Sequence, residues 1–192
     1  VDSFYALNFP QGRGFPADLP QPPDSDWLQY PLADVKAFSI DDSETTEVDD
    51  AASIVHLEGG RTRIGIHIAA PALGILRDDP IDKVARARMS TVYAPGLKTT
   101  MLPDSWIKAF SLDEGRPVPC LSLYATVDDE TLSVEKTETR LERVSVARNL
   151  RYDKIDELVT EEAIKAGTLD MEFADEICWL WHFAKKLQGD RE

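Results

Sequence analysis

The sequence predicts an α+β fold, in which strands occupy the middle of the chain and helices its end. Two hairpin patterns lie between residues 51 and 140, and three segments of helical periodicity follow them. A proline-rich stretch comes first, since six of the twelve prolines fall within the first 31 residues. Strands and helices are thus segregated rather than alternating, which separates this class from the parallel α/β folds.

Residues 1–32 are predicted to form an extended, proline-rich arm. Proline has no backbone donor and a fixed φ, so this stretch disfavours a helix or a central strand. Aromatic residues along the arm indicate that it packs against the protein: Phe4, Tyr5, Phe9, Phe15 and Trp27. The main domain is predicted to cover residues 33–192.

The first part of the main domain predicts three strands. Val35–Ile40 is short and apolar, as is usual for a strand. Ala51–Glu58 and Thr62–Ala70 flank Gly59-Gly60, a dipeptide typical of a two-residue hairpin turn. These two segments are therefore predicted to pair.

A turn and a second hairpin are predicted further along the chain. Pro95-Gly96 marks the turn. Val118–Val127 and Thr131–Arg140 are predicted strands that pair across the acidic tripeptide at 128–130.

Four helices are predicted. The first begins at Pro80, with Asp78 or Asp79 as its N-cap. The other three follow one another at the end of the chain: Tyr152–Val159, Glu161–Ala166 and Met171–Leu187. Gly167 is placed to end the second of these.

Composition and charge restrict the class of protein. The 192 residues are 43% apolar and 29% charged, as in a globular domain rather than a disordered or fibrous chain. No apolar run approaches the ~18 residues of a membrane span, so no membrane partner is expected. Two cysteines without a framework spacing favour a cytoplasmic protein. The net charge of −14 repels polyanions, so contact with a nucleic acid requires metal ions or a basic segment.

An acidic run lies between two of the predicted strands. Residues 41–50 read DDSETTEVDD, without a lysine or arginine. Because apolar strands flank the run, it cannot extend into solvent as a tail does, and its carboxylates repel one another unless cations or protons offset the charge. Mg²⁺ prefers such oxygen ligands, and a pair of these ions supports phosphodiester hydrolysis. A solvated acidic loop is the alternative. A calcium loop of the EF-hand type is disfavoured, because its glycine and alternating aspartates are missing.

The same run resembles the opening of the catalytic domain in the ribonuclease II (RNB) family of 3′→5′ exoribonucleases. The family segment AxxID-x₅-D-x-DDA is similar to AFSIDDSETTEVDDA over Ala37–Ala51. GIHIA at Gly65–Ala69 resembles the family strand GVHIAD, and DKVARARMSTVY, which ends at Tyr93, resembles LDREAxxRxxSVY. MLP at Met101–Pro103 and a strand beginning near Arg116 follow in the family's order. The resemblance covers residues 33–127 well and the helical tail loosely.

This resemblance implies an RNB-type catalytic fold, with mixed or antiparallel strands and packed helices, and a site of four carboxylates. Asp41, Glu47, Asp49 and Asp50 match the family's catalytic and metal-binding positions. Asp41 and Asp50 are expected to bind Mg²⁺ directly, and Glu47 to serve a second ion or its waters. Asp49 is expected to orient the attacking water at the same metal site, with Mn²⁺ as an alternative ion. Tyr93 matches the tyrosine that contacts the base of the 3′-terminal nucleotide.

Two residues depart from the family pattern. Glu47 stands where an aspartate is usual, which predicts slower turnover or an altered metal preference. Ala70 replaces the aspartate of HIAD, which removes a carboxylate from the vicinity of the site.

Several other side chains that carry chemistry are interpreted as structural. His67 lies on an alternating strand and is expected to form hydrogen bonds rather than to bind a metal. Cys120 is expected to be a small buried hydrophobic residue. Trp179, Trp181 and His182 are expected in the core and rim of the last helix.

The sequence therefore predicts the N-terminal half of an RNB catalytic domain, an incomplete domain from a metal-dependent hydrolase. Its expected substrate is single-stranded RNA, degraded from the 3′ end to nucleoside 5′-monophosphates. The C-terminal half of the same domain is the expected partner. The chain alone is expected to be inactive or barely active, because the family's catalytic arginine and second base-clamping aromatic residue lie in that half. A non-catalytic RNB-like module for RNA binding or scaffolding is the alternative, and a calcium-binding or acidic interaction protein is a weaker one. No oligomeric state is predicted.

Overall fold

A computed structural model describes residues 2–9, 12–23 and 27–189. The helices and strands in chain order are α1 (Asp2–Asn8), β1 (Ala37–Asp41), β2 (Asp50–Leu57), β3 (Arg61–Ala69), a 3₁₀ helix (Pro71–Leu73), α2 (Pro80–Arg88), β4 (Val92–Ala94), β5 (Leu97–Thr99), α3 (Asp104–Phe110), β6 (Pro117–Asp128), β7 (Val134–Arg151), α4 (Tyr152–Ile155), α5 (Glu161–Ala166) and α6 (Ala174–Gly189).

The chain divides into two compact units. The first contains the described residues up to Gln29 together with Ala70–Ser111, and the second contains Tyr30–Ala69 together with the described residues from Leu112 onward. The chain first enters the second unit close to residue 32, where the sequence predicts the end of the arm. The return of Ala70–Ser111 to the first unit has no counterpart in the prediction.

The N-terminal arm is not extended throughout, because its first residues form α1. The sequence has no proline before residue 10, so these residues keep their backbone donors. The side chain of Asn8 donates to the carbonyl of Phe4 at 2.9 Å, which supports the helical turn. Residues 12–23 contain neither helix nor strand, as predicted.

The arm packs within the first unit, which confirms the expectation drawn from its aromatic residues. Leu19 and Trp27 lie against a core of α2 and α3 residues that includes Ile81 and Trp106. The indole of Trp106 donates to the carbonyl of Pro20 at 2.9 Å. Helix α2 starts at Pro80 as predicted, and Asp79 is its N-cap. Helix α3 was not predicted, although it contributes Trp106 and Phe110 to this core.

The second unit is built on a closed five-stranded barrel in the order β1-β2-β3-β6-β7. Each strand turns back on the one before it, so the first and fifth strands point the same way. The barrel therefore closes through a parallel pair, in which β1 lies beside the last residues of β7. The other neighbours are antiparallel. This mixed sheet with packed helices agrees with the predicted α+β fold.

The two predicted hairpins are present, with shifted boundaries. Leu57 pairs with Arg61, so the first turn has three residues rather than two. Gly59 and Gly60 both have positive φ, at 75° and 68°, a region that side chains other than glycine rarely adopt. In the second hairpin, β7 begins at Val134 rather than Thr131.

Strand β7 also continues eleven residues beyond the predicted end at Arg140, as far as Arg151. Val144 and Val146 on this extension are buried in the barrel interior, beside Ala51 and Cys120. The extension was missed because charged and polar residues interrupt its alternation. Pairing with β1, more than a hundred residues earlier, supplies the hydrogen bonds that local sequence does not predict.

Helix α6 covers part of the outer face of the barrel. Its residue Phe183 packs with Ile54, Ile64 and Val127, which lie on three different strands. Helix α5 and its end at Gly167 match the prediction, whereas α4 ends at Ile155 and α6 starts at Ala174, later than predicted. Among the described residues, the helices are too short or too polar to cross a membrane.

Candidate active site

The acidic run joins the ends of two neighbouring barrel strands. Asp41 is the last residue of β1 and Asp50 is the first residue of β2, and the two strands pair through Phe38 and Ala52. All four predicted carboxylates therefore lie on the segment that connects β1 and β2 at one end of the barrel in the second unit.

Backbone contacts hold this run against the barrel. Val48 is buried, and its carbonyl accepts a hydrogen bond from the amide of Leu112 at 2.9 Å. The carbonyl of Asp49 accepts from the amide of Ala69 at 2.8 Å. At the other end, Arg151 donates to the carbonyl of Asp42 at 2.8 Å. A freely solvated loop lacks such anchors, so the run is part of the folded structure.

Asp41 is held by a short series of hydrogen bonds. The hydroxyl of Ser39 donates to Asp41 Oδ2 at 2.5 Å, and the side-chain amide of Asn149 donates to the Ser39 hydroxyl at 2.9 Å. Ser39 is buried and Asp41 is half-buried. Sequence reasoning missed both supporting residues, because Asn149 lies 110 positions from Ser39 and carries no motif of its own.

The side chains of the acidic run do not converge. Within the described part of the chain, no group of three His, Cys, Asp or Glu side chains is arranged to hold a metal ion. Glu47 is half-buried, whereas Asp49 and Asp50 are exposed. Like charges repel, so carboxylates that project into water are more stable apart. The donor chemistry suits Mg²⁺, but the expected shared pocket is not formed by these side-chain positions.

Tyr93 belongs to the first unit and lies on the exposed face of the β4-β5 hairpin. Its side chain is 71% exposed, and the turn at Pro95-Gly96 is present as predicted. Lys98 is its cross-strand partner, with Nζ 5.6 Å from the centre of the tyrosine ring. An exposed ring beside a cation can stack on a base.

His67 has the structural role that the sequence predicts. Its Nε2 lies 2.9 Å from the Ser53 hydroxyl, and its Nδ1 lies 2.8 Å from the Ser122 hydroxyl. The ring is fully buried, and burial lowers the pKa of His67 to about 4, although the charge of Glu142 opposes this shift. His67 is therefore neutral at physiological pH.

Gly65 makes room for this histidine. The two residues are two positions apart on β3, so they face the same side of the sheet. A Cβ on Gly65 would lie 2.5 Å from Ser53 Oγ and 2.8 Å from His67 Nε2. The glycine and the histidine of the GIHIA segment are thus one packing unit.

Cys120 and the aromatic residues of α6 also agree with their structural interpretation. Cys120 is buried, and burial together with the nearby Glu142 raises the pKa of its thiol to about 12, so it is not a nucleophile. Trp179 packs partly buried on the barrel, and its indole donates to Asp129 at 3.2 Å. His182 is exposed and bonds to the carbonyl of Cys178.

Comparison with known proteins identifies the class to which this barrel, with its anchored acidic run and packed helices, belongs. The family model described as the RNB domain matches residues 29–192, and the chain belongs to the RNB family. Exoribonuclease 2 of Aeromonas hydrophila is 32% identical over 144 residues, which are 73% of this chain and 21% of that protein.

Solved structures of similar fold include both an exoribonuclease and a pseudonuclease. An active-site mutant of the Dss1 exoribonuclease from Candida glabrata is 29% identical with a TM-score of 0.70, and the match covers 85% of this chain and 22% of that one. Yeast Ssd1, a pseudonuclease, is 22% identical with a TM-score of 0.72, covering 83% of this chain and 22% of that one. The chain thus spans about a fifth of the length of these proteins.

Proposed function

We propose that this chain forms part of a metal-dependent hydrolytic exoribonuclease. In this proposal the enzyme degrades single-stranded RNA in the 3′→5′ direction and releases nucleoside 5′-monophosphates. Membership of the RNB family and similarity to proteins named exoribonucleases support the degradation of RNA. The direction, the products and the metal are the finer parts of the proposal.

The observation that carries the proposal is the anchored acidic run. Six carboxylates, four of them at the matched positions, lie within ten consecutive residues, and the backbone on both sides of Asp49 is bonded to other parts of the second unit. These anchors keep a strongly charged segment beside the folded barrel, which costs free energy that a freely solvated loop avoids. A site for phosphodiester hydrolysis uses clustered carboxylates to bind divalent cations.

Divalent-metal dependence is supported by donor chemistry rather than by the side-chain arrangement. Asp41, Glu47, Asp49 and Asp50 supply the hard oxygen ligands that Mg²⁺ and Mn²⁺ prefer. Within the described part of the chain no three of these side chains are grouped to hold an ion, so a bound ion has to draw them together. Metal removal is therefore a direct test of this part of the proposal.

Tyr93 supports the nucleic-acid part of the proposal. Base stacking on an exposed aromatic ring is worth about 1–3 kcal/mol and tolerates any base. The ring is accessible and has a lysine beside it. The net charge of −14 opposes RNA binding elsewhere on the surface, so local contacts of this kind matter.

A second candidate function is a non-catalytic RNB-like module that binds RNA or acts as a scaffold. Two observations favour it: the carboxylates do not converge, and a pseudonuclease shares the fold. The two candidates differ in a single measurable property, which is shortening of RNA.

The experiment follows the degradation of 5′-labelled poly(A) by the full-length protein in the presence of Mg²⁺, with and without EDTA. Degradation from the 3′ end leaves a ladder of labelled products, whereas attack from the 5′ end releases labelled mononucleotide at once. Asp49→Asn removes the charge at the expected water-orienting position and should reduce the rate by about 10²–10⁴-fold. Glu44→Gln is the matched control, since Glu44 is an exposed residue of the same run outside the matched positions.

Equal rates for the wild type and Asp49→Asn contradict the role of Asp49. Shortening that continues in EDTA contradicts metal dependence. RNA binding without any shortening selects the non-catalytic module.

A further inference from the structure

We infer that Ser39 and Asn149 are positioning residues for Asp41, acting through a directed chain of hydrogen bonds that runs across the barrel closure. This inference rests on the proposed function, because it assigns a role to the support of a candidate catalytic carboxylate. It concerns two residues outside the acidic run, which the family-like motifs do not assign.

The parallel closure of the barrel brings the two residues together. Ser39 on β1 is in register with Asn149 on β7, and Asp41 is in register with Arg151. Residues opposite each other on paired strands lie within reach of direct side-chain contact. A connection of this kind depends on the last residues of β7, and it therefore exists only in the closed barrel.

Asn149 uses every hydrogen-bonding group of its side chain. The two Nδ2 hydrogens are donated to the Ser39 hydroxyl at 2.9 Å and to the carbonyl of Leu112 at 3.0 Å. Its Oδ1 accepts from the amide of Glu114 at 3.0 Å, and its own backbone amide donates to Glu114 Oε1 at 2.8 Å. A flipped amide would place oxygen against the carbonyl of Leu112, so these contacts fix the side-chain orientation.

The orientation of Asn149 determines the direction of the next hydrogen bond. A serine hydroxyl has one hydrogen. Because Ser39 accepts from Asn149, that hydrogen is directed to Asp41 Oδ2, at 2.5 Å. Ser39 is only 4% exposed, so water competes little for either contact. This series of hydrogen bonds thus holds one oxygen of Asp41 in place and leaves the other oxygen outside the contact.

Asparagine is the side chain that this arrangement requires. An aspartate at position 149 would still accept from the amide of Glu114, but its second oxygen, in the place of Nδ2, would face both the carbonyl of Leu112 and the Ser39 hydroxyl. The serine would then donate to residue 149 instead of Asp41. Asn149→Asp therefore turns the Ser39 hydrogen bond away from Asp41 without changing the size of the side chain at position 149.

The main test compares Ser39→Thr with Ser39→Val in steady-state degradation of poly(A). The two new side chains have nearly the same shape, but only threonine keeps the hydroxyl. We expect Ser39→Val to lower kcat by about 10-fold to 100-fold with KM nearly unchanged, and Ser39→Thr to retain most of kcat. Asn149→Asp should lower kcat in the same range. Thermal melting establishes that each variant is folded, and Ser39→Ala replaces Ser39→Val if valine prevents folding.

A spectroscopic measurement tests the hydrogen bonds without activity. The side-chain ¹H–¹⁵N resonances of Asn149 should shift in Ser39→Val and in Asp41→Asn, but far less in Ser39→Thr. If Ser39 only fills space, Ser39→Thr and Ser39→Val should behave alike in both measurements.

The possible failures are distinct. If the wild type degrades RNA and Asp41→Asn does not, but Ser39→Val has the kcat of Ser39→Thr, the positioning role is wrong and the proposed function stands. If the full-length wild type does not degrade RNA, the proposed function fails and the positioning role fails with it. Unchanged Asn149 resonances in Ser39→Val also overturn the inference.

Discussion

His67 makes the stability of the second unit depend on pH. The ring is buried between two serine hydroxyls, which can satisfy both nitrogens of the neutral form. Its pKa is about 4 in the folded protein, compared with about 6.5 in an unfolded chain. Below pH 6.5 the unfolded chain binds a proton that the folded protein does not, so acidification favours unfolding.

The size of this effect follows from the pKa difference. Each pKa unit corresponds to about 1.4 kcal/mol. Stability from His67 is fully present above pH 6.5 and is lost as the pH falls towards 4. The free energy of unfolding should therefore drop by about 1.4 kcal/mol between pH 7.5 and 5.5, with a limit of about 3 kcal/mol at lower pH.

Urea denaturation followed by tryptophan fluorescence at pH 7.5, 6.5 and 5.5 measures this loss. Other groups titrate in the same range, so the relevant quantity is the difference between the wild type and His67→Gln. Glutamine is uncharged at each pH, and the difference should shrink by about 1.4 kcal/mol between pH 7.5 and 5.5. His56→Gln is the control, because this change leaves His67 in place and should keep the pH dependence of the wild type.

The reasoning is refuted if the wild type and His67→Gln lose equal stability over this range. The low pKa of a neutral, buried His67 would then be wrong. If His56→Gln reduces the pH dependence as much as His67→Gln does, the effect cannot be assigned to His67.

Three further predictions concern packing and activity. Gly65→Ala should destabilise the protein by about 1–3 kcal/mol, measured by urea denaturation, because its Cβ displaces the Ser53 hydroxyl from His67; a stability equal to that of the wild type contradicts this. Glu47→Asp, which restores the usual family residue, should raise kcat or change the Mg²⁺/Mn²⁺ preference in the poly(A) assay, and an unchanged enzyme would show that the extra methylene is harmless. Tyr93→Ala should raise KM for RNA by about 10-fold whereas Tyr93→Phe should not, since one stacked base is worth about 1–3 kcal/mol; equal KM values would remove the stacking role.

Local signals predicted the local elements of the fold. The first hairpin depends on two adjacent glycines, and α2 on an aspartate cap followed by proline, so neighbouring residues suffice to define them. The second half of β7 depends instead on β1, which lies more than a hundred residues away. Helix α3 is seven residues long and gains its stability from packing Trp106 and Phe110 into the first unit. Tertiary contacts of this kind are not written in the local sequence.

The same distinction applies to the candidate site. A motif of consecutive residues was enough to identify Asp41, Glu47, Asp49 and Asp50 as the candidate carboxylates. Their side-chain arrangement was not predictable, because it depends on mutual repulsion and on partners brought in by the fold. The expected convergence of all four is not found among the described residues.

Barrel closure and the candidate site are physically linked. The parallel pair between β1 and β7 places Asn149 beside Ser39, and the same pair places Arg151 at the carbonyl of Asp42. Asn149 and Arg151 thus both support the start of the acidic run from β7, the strand that closes the barrel. Separation of β7 from β1 would remove Asn149 from Ser39, and with it the group that directs the Ser39 hydroxyl to Asp41, while the antiparallel strands β2, β3 and β6 stay paired. The direction of the hydrogen bond from Ser39 to Asp41 thus depends on this one parallel contact, whereas the backbone anchors of Val48 and Asp49 do not.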